Sequence, residues 1–386
     1  MDKDYLSKAS AVALNGIFGY EPKFSHRIID ELGSPEAVFS LSRNDLAHIF
    51  GPCSRYLPLI CRESLEKAAT QLERLESEGF SILSIYDDGY PELLKECDDA
   101  PMVLYVRSGT EPGKIFNGRP AVSVVGTRDL SPYGREWCTR IIRELSRSPL
   151  KPVIVSGLAI GTDITAHMAA LACGLPTVAV LPVGIDDVYP RRHGVAAHKI
   201  SASPGSALIT DYPPGTAPVA YNFLRRNRII AGISRATILV ESKVKGGGMM
   251  TARLAFGYGR DVYTLPGRID DVRSEGCNRL VREKVADTID SLGALIENLG
   301  LGCPVPEKAA FFEQELLRRY GSTSDADDIM RVALAIKNRR GMNYDELCRQ
   351  CGMTYDTVAR LTALLENDGF IETDVLQRCS INYGIY

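Results

Sequence analysis

Ser156-Gly-Leu-Ala-Ile-Gly-Thr-Asp-Ile-Thr-Ala-His167 follows the short apolar run Pro152–Ser156 and carries a strand end, a glycine turn and a helix start in succession. Glycines 157 and 161 let the backbone turn sharply and approach a neighbour closely. Thr162 and Asp163 have the short oxygen-bearing side chains that cap a helix. The same punctuation recurs outward from this stretch. Val125-Gly126 and Val183-Gly184 also pass from apolar residues into glycine, and further apolar runs stand at Met102–Val106, Ala121–Val125, Thr177–Leu181, Ala207–Thr210, Ala236–Val240 and Asp261–Leu265. Helical segments separate them. Apolar strands alternating with helices predict an α/β domain whose parallel sheet is covered on both faces. In doubly wound sheets ligands bind beyond the carboxyl ends of the strands, so these glycines stand where a site belongs.

Two further stretches give that site its chemistry. Phe223-Leu-Arg-Arg-Asn-Arg-Ile-Ile-Ala-Gly-Ile-Ser234 precedes the run Ala236–Val240, and Gly246-Gly-Gly-Met-Met-Thr-Ala252 follows it. Glycine brings backbone N–H groups near an anion, and arginine adds charge and a planar fork of donors. Together they describe a phosphate-binding surface. The whole chain has a net charge of −3, which gives it no general attraction for nucleic acid. Between Ala217 and Ala286, however, thirteen Lys/Arg stand against six Asp/Glu, a local +7 that leaves −10 elsewhere. A basic block is often only a solvated face, but this one coincides with the glycine turn.

At 386 residues the chain is expected to form two or three domains. Residues 1–80 read as short helices broken by turns at Leu32-Gly-Ser-Pro35 and Phe50-Gly-Pro52, a helical module of the SAM or helix-hairpin-helix kind, and a long amphipathic helix at about Ser64–Glu78 leads out of it. The α/β domain occupies 81–300, and residues 301–323 read as a linker with a short helical piece. In 324–386, helices are expected at Asp328–Asn338, Asn343–Cys351 and Thr354–Asn367, followed by strands Phe370–Thr373 and Cys379–Tyr383. Asn343 and Thr354 are good N-caps. Three helices and a β-ribbon make a winged helix, although its third helix carries only Arg360 where a DNA-reading helix is more basic. A protein contact or weak DNA binding suits it better.

The start Met1–Tyr5 lacks the apolar run of a signal peptide and no 18-residue apolar stretch occurs, so a cytosolic protein is expected. The ten cysteines then read as reduced and mostly buried. Cys348 and Cys351 lack the further ligands that a structural zinc requires. No metal or cofactor is expected.

Among the candidate site residues, Arg128 follows the single glycine of Val125-Gly-Thr-Arg-Asp-Leu-Ser-Pro-Tyr-Gly134, which is not the G-x-G-x-x-G dinucleotide fingerprint. Its guanidinium either projects into the site or ties to a carboxylate such as Asp163. His167 is left without a role. Asp186 and Asp187, in Gly184-Ile-Asp-Asp-Val-Tyr-Pro-Arg-Arg-His193, suit turn capping or a dimer contact better than metal binding. Phe223 beside arginines either stacks a base or anchors its helix in the core. Lys243, Lys245 and Arg253 flank the glycine turn and extend its positive rim. An alternative is a Rossmann-like phosphoribohydrolase acting on nucleoside monophosphates, whose sites also combine arginine with a glycine-rich turn. That chemistry needs a carboxylate just after the turn, whereas Thr251 leads into Ala252-Arg253-Leu254-Ala255 and Glu241 lies before it. No catalytic triad or paired-carboxylate arrangement is visible either, which favours a binding protein over an enzyme.

The ordered motifs Val-Gly-Thr-Arg from 125, Ser-Gly-x-Ala-x-Gly-x-Asp from 156, Gly-Ile-Asp-x-x-Tyr-Pro from 184, Pro-x-Gly-Thr-x-Pro from 213, Phe-x-x-Arg-Asn-Arg-Ile-Ile-Ala-Gly-Ile-Ser from 223, Gly-x-x-x-Thr-Ala from 247 and Leu-Pro-Gly from 265 closely resemble the DprA (Smf) family of bacterial DNA-processing proteins. The resemblance implies an extended Rossmann-like domain that binds single-stranded DNA, protects incoming strands, forms homodimers and loads the RecA recombinase during natural transformation and recombination. It implies a DNA site made of Arg128, Ser156, Gly157, Phe223, Arg226, Asn227, Arg228 and the loop Gly246–Thr251, with Gly247, Gly248 and Thr251 at its centre. The chain departs from the family pattern at two places. Ala220 stands where members often have lysine, and Gly246-Gly247-Gly248 replaces the usual Ser-Gly-Ser. Each departure removes side-chain contacts and leaves the backbone donors in place.

Overall fold

The computed structural model describes residues 3–19, 21–116, 118–302, 315–339, 341–374 and 377–381. The chain forms two compact units, Met1–Pro304 and Val305–Tyr386. The first is built on a nine-stranded sheet: β1 (Ser81–Ser84), β2 (Val103–Arg107), β3 (Ala121–Val125), β4 (Val153–Ser156), β5 (Thr177–Val180), β6 (Ala207–Thr210), β7 (Ala236–Leu239), β8 (Asp261–Thr264) and β9 (Asp287–Thr288). Their order across the sheet is β1-β2-β6-β5-β4-β3-β7-β8-β9. Strands β6 through β9 are mutually parallel, whereas β2 runs antiparallel to both β1 and β6.

All seven apolar runs form strands, and six of them belong to the parallel array. The run at 102–106 is the exception. Among the described residues between β2 and β3 the chain makes only the 3-10 turn Pro112–Lys114. A parallel return needs a crossover, usually a helix, to carry the chain back along the strand. With none present, β2 ends at the edge of the sheet where β3 begins. Strands β1 and β9 escape a reading by apolar runs because β1 has serine at both ends and β9 is two exposed residues.

Strands β3 to β7 are buried along their length because helices cover both faces. Alternation sorts their side chains. Val122, Val124, Ile154 and Ile238 meet Ile141 and Leu145 of the helix Pro132–Leu145. Ala121, Val125, Val155 and Leu239 share the other core with Ile229 and Ile230 of the helix Ala220–Ile233. That second core continues into the N-terminal helices through Leu14, Phe18 and Ile28. Phe18 packs against Phe24, Phe50 and Tyr56 at ring separations of 5.5, 5.7 and 4.6 Å.

The chain winds outward from β3 through β4, β5 and β6, then returns to the opposite side of β3 as β7 and continues to β8 and β9. This reversal is a topological switch point. The connections leaving β3 and β7 part there and open a crevice at the carboxyl ends of the strands.

The second unit contains helices Ala326–Asn338, Tyr344–Cys351 and Tyr355–Asn367 and the antiparallel pair β10 (Ile371–Thr373) and β11 (Cys379–Ile381). Asn343 and Glu346 form a reciprocal capping box, and Thr354 caps the third helix. Val332, Ile336, Leu347, Leu361 and Phe370 form a separate core. Arg360 on the third helix pairs with Asp325 at 2.6 Å. Residues 303–314 of the expected linker, and 382–383 of the last expected strand, lie outside the described residues.

Candidate nucleic-acid interface

A cavity of about 740 Å³ occupies the switch point. Its walls are the turn after β3 (Gly126, Thr127, Arg128), one face of the helix Ala220–Ile233, and the turn from Ser242 to Gly248 after β7. That last turn runs into the helix Gly247–Gly257, whose N-cap is Gly246 and whose first turn has no side-chain cap. Helix-start N–H groups without side-chain partners, at the positive end of the helix dipole, favour an anion. A side chain at Gly248 would require its neighbours to shift. A Cβ there would lie 2.7 Å from Leu239 Cδ1 and 3.1 Å from Gly126 Cα, so this departure from the family pattern matches the packing.

Arg128 is exposed, and its guanidinium carbon lies 5.3 Å from the centre of the Phe223 ring. Tyr189 meets Phe223 edge-on at 5.2 Å. The ring is therefore partly buried, with a cation against it. Asp163 is not the partner of Arg128. It accepts hydrogen bonds from the N–H groups of Gly157 (3.2 Å) and Ala159 (3.3 Å). Lys243 and Lys245 are exposed on the facing turn and form no ion pair among the described residues. Asn227 and Thr251, both nearly buried, complete the lining.

Arg226, expected to contact phosphate, borders the cavity from beneath. Its side chain is buried and donates to the carbonyl oxygens of Gly157 (2.7 Å) and Val180. Burial lowers it to about 10 and raises the neighbouring Asp163 above the usual carboxylate range. Arg226 is thus an internal tie between the helix and the ends of β4 and β5. Gly157 fits under it because a Cβ at that position would lie 2.5 Å from the guanidinium.

Arg228, also expected at the DNA, lies outside the cavity lining. It faces away from the cavity, pairs with Asp211 at 2.5 Å and donates to the Asp99 carbonyl, with both charged side chains about 5% exposed. Ser156 and Gly157 lie outside the lining, and Ser156 Oγ donates to the Val124 carbonyl at 2.6 Å with no exposed surface. Arg253 points elsewhere and pairs with Glu283 at 2.5 Å. For Arg226 and Arg228, which share the helix Ala220–Ile233, the cause is helical rotation. Successive residues point about 100° apart, so one arginine-rich stretch cannot present every arginine to one cleft.

Two residues gain a role that sequence reasoning did not assign. Tyr189 reaches the site from the Gly184–His193 segment. Glu241, 2% exposed, accepts from the N–H and Oγ of Ser131 at 2.9 and 2.5 Å and so holds the start of the helix Pro132–Leu145. His167 is fully buried, and burial lowers it to about 3. Its Nδ1 meets Thr177 Oγ1 at 2.7 Å, and that hydroxyl donates to the Ile154 carbonyl, so Nδ1 carries the proton. Asp186 caps a turn by accepting from Gly215 N–H at 2.9 and 3.0 Å.

Fold and site together define a Rossmann-like α/β protein with a cleft at its switch point lined by exposed cations, an aromatic ring and a glycine turn. The chain belongs to the family of DNA recombination-mediator protein A, whose family model matches residues 81–300, more than half its length. It is 39% identical over 208 residues to the DNA processing protein DprA of Streptococcus pneumoniae, covering 54% of this chain and 71% of that protein. It is 36% identical over 229 residues to the protein Smf of Synechocystis, covering 59% of this chain and 56% of that one. Among solved structures, that of DNA processing protein A from Streptococcus pneumoniae aligns at 31% identity and a TM-score of 0.57, covering 75% of this chain and 93% of that one. A structure of DNA processing protein A from Helicobacter pylori, described for its single-stranded DNA binding mode, aligns at 29% identity and a TM-score of 0.51, covering 57% and 95%. No helix among the described residues is long and apolar enough to cross a membrane.

Proposed function

We propose that this chain binds single-stranded DNA in the switch-point cleft, without regard to sequence, and acts as a recombination mediator. The observation that carries this reading is the stacked pair Arg128–Phe223 facing the uncapped helix start at Gly247. One cleft then offers a ring for a base and both cationic and backbone donors for phosphates. Arg128, Lys243 and Lys245 take phosphates with the N–H groups of Gly247 and Gly248, and a base packs beside Phe223. Contacts of this kind tolerate any base, and duplex bases cannot reach them. The protein protects incoming strands and loads the RecA recombinase onto them during natural transformation and homologous recombination. It works in the cytoplasm as a homodimer that presents two such clefts. The last unit is a winged helix better suited to a protein contact or weak DNA binding, because Arg360 is already paired.

A binding role is also favoured over nucleoside-monophosphate hydrolysis. Glu241, the carboxylate before the glycine turn, is buried and committed to Ser131. The test is fluorescence anisotropy of single strands and matching duplex across a salt series, with Arg128→Ala and Phe223→Ala. Single strands should bind more tightly than duplex. Arg128→Ala should flatten the log–log salt slope by roughly 0.7, and Phe223→Ala should cost about 1–3 kcal/mol of binding. Equal binding of duplex, or indifference to both substitutions, would place the DNA elsewhere.

A further inference from the structure

A second cavity, about 560 Å³, lies on the far side of the two helices that wall the cleft. Tyr221 and Arg225 of the helix Ala220–Ile233 and Met250 of the helix Gly247–Gly257 form one side of it. Lys23, Phe24 and Arg27 of the N-terminal helix Pro22–Leu32 form the other. Helical spacing produces this division: Phe223, Asn227 and Thr251 face the cleft, while Tyr221, Arg225 and Met250 face the second cavity. Leu224, 44% exposed, borders both, so the two spaces share a wall.

The chemistry of the cleft recurs here. Arg225 lies 5.9 Å from the Tyr221 ring and 5.8 Å from the Tyr212 ring, and Arg128 lies 5.3 Å from Phe223. Tyr221 and Met250 are 56% and 38% exposed, an apolar surface wide enough for a ring to lie on. The acids that border the space are engaged: Glu21 pairs with Arg55 at 2.7 Å, and Asp99 accepts from Tyr258 Oη at 2.8 Å. Arg228 beneath is neutralised by Asp211. Lys23 meets Asp98 at 3.2 Å, both exposed. Arg27 is exposed and has no ion-pair partner among the described residues.

We propose that this second cavity is a subsite for the nucleotides that follow those held in the cleft. A base lies on Tyr221 and Met250, and the adjoining phosphate meets Arg27 and Arg225. The inference rests on the single-strand reading of the cleft and gives the N-terminal helices a direct part in DNA binding. A nucleotide suits the space better than an apolar peptide because aromatic rings and cations occur together on both sides of one helix, and because the wall is continuous with the cleft.

The experiment compares labelled oligothymidylates of about 6 and about 20 nucleotides, one filling the cleft alone and one long enough to run beyond it. The full chain is tested as wild type, Arg27→Glu, Arg27→Lys and Tyr221→Ala, with thermal melts showing that each variant is folded. The short strand should bind all four proteins alike. The long strand should lose at least about fivefold in affinity with Tyr221→Ala, the loss of one stacked base. It should lose a similar factor with Arg27→Glu, whose salt slope flattens by about 0.7, and Arg27→Lys should retain most of the binding. Long-strand affinity unchanged in both Arg27→Glu and Tyr221→Ala overturns the subsite while leaving the cleft intact, and a peptide then becomes the occupant to seek. Failure of wild type to bind even the short strand overturns the cleft reading and the subsite with it.

Discussion

Replacing Arg228 with methionine separates a structural arginine from a DNA-binding one. Its guanidinium and the Asp211 carboxylate are 2.5 Å apart, with side chains 6% and 4% exposed. Methionine keeps most of the apolar stem and removes the charge, which leaves Asp211 buried without its counter-ion. Breaking a buried pair from one side costs about 3–5 kcal/mol. The lost charged hydrogen bond to the Asp99 carbonyl belongs to that same figure. Urea denaturation should therefore show a midpoint lowered by that amount of free energy at an unchanged slope. Adding Asp211→Leu to Arg228→Met should recover the greater part, because an apolar pair of similar volume removes the stranded charge. At a temperature where the single variant remains folded, a strand of about 6 nucleotides that fills only the cleft should bind as it does to wild type. A stability change below about 1 kcal/mol, together with weaker binding of the short strand and a flatter salt slope, would show that the guanidinium meets phosphate and that the buried pair is not its role.

Two further perturbations have expected outcomes. His167 is held near 3 in the fold by burial, whereas an unfolded histidine titrates near 6.5. The unfolded state therefore binds more protons below about 6.5, and stability contributed by the neutral ring falls as pH drops, by about 2 kcal/mol between pH 8 and 5. Urea midpoints across that range should show this component in wild type and lack it in His167→Gln. Ala220 is exposed on the rim of the cleft, so Ala220→Lys should tighten single-strand binding at low salt and steepen the salt slope by about 0.7. No change in the slope would mean that the strand does not pass this end of the helix.

Much of the architecture was written locally. The seven apolar runs became seven strands within a residue or two because short runs rich in β-branched residues, ended by turn-forming or polar residues, have few other places to go. The N-caps Asn343 and Thr354 cap their helices as expected, since that chemistry is contained within four residues. Edge strands were less legible. β1 and β9 are short and carry little apolar signal, and the antiparallel course of β2 follows from the connection after it and not from its own composition.

The candidate site divides along the same line. The glycine turn, the basic stretch and the aromatic at 223 are sequence features, and all three border one cavity at the switch point of this α/β fold. Which arginines serve it is a tertiary decision. Arg128 remains exposed because it leaves a strand end at the switch point, whereas Arg226 and Arg228 are drawn inward by the Gly157 and Val180 carbonyls and by Asp211. These partners are 69, 46 and 17 residues away in the chain. Spacing along one segment determines that three cations occur together; the sheet, by placing distant oxygens against the helix, determines which of them solvent and ligand can reach.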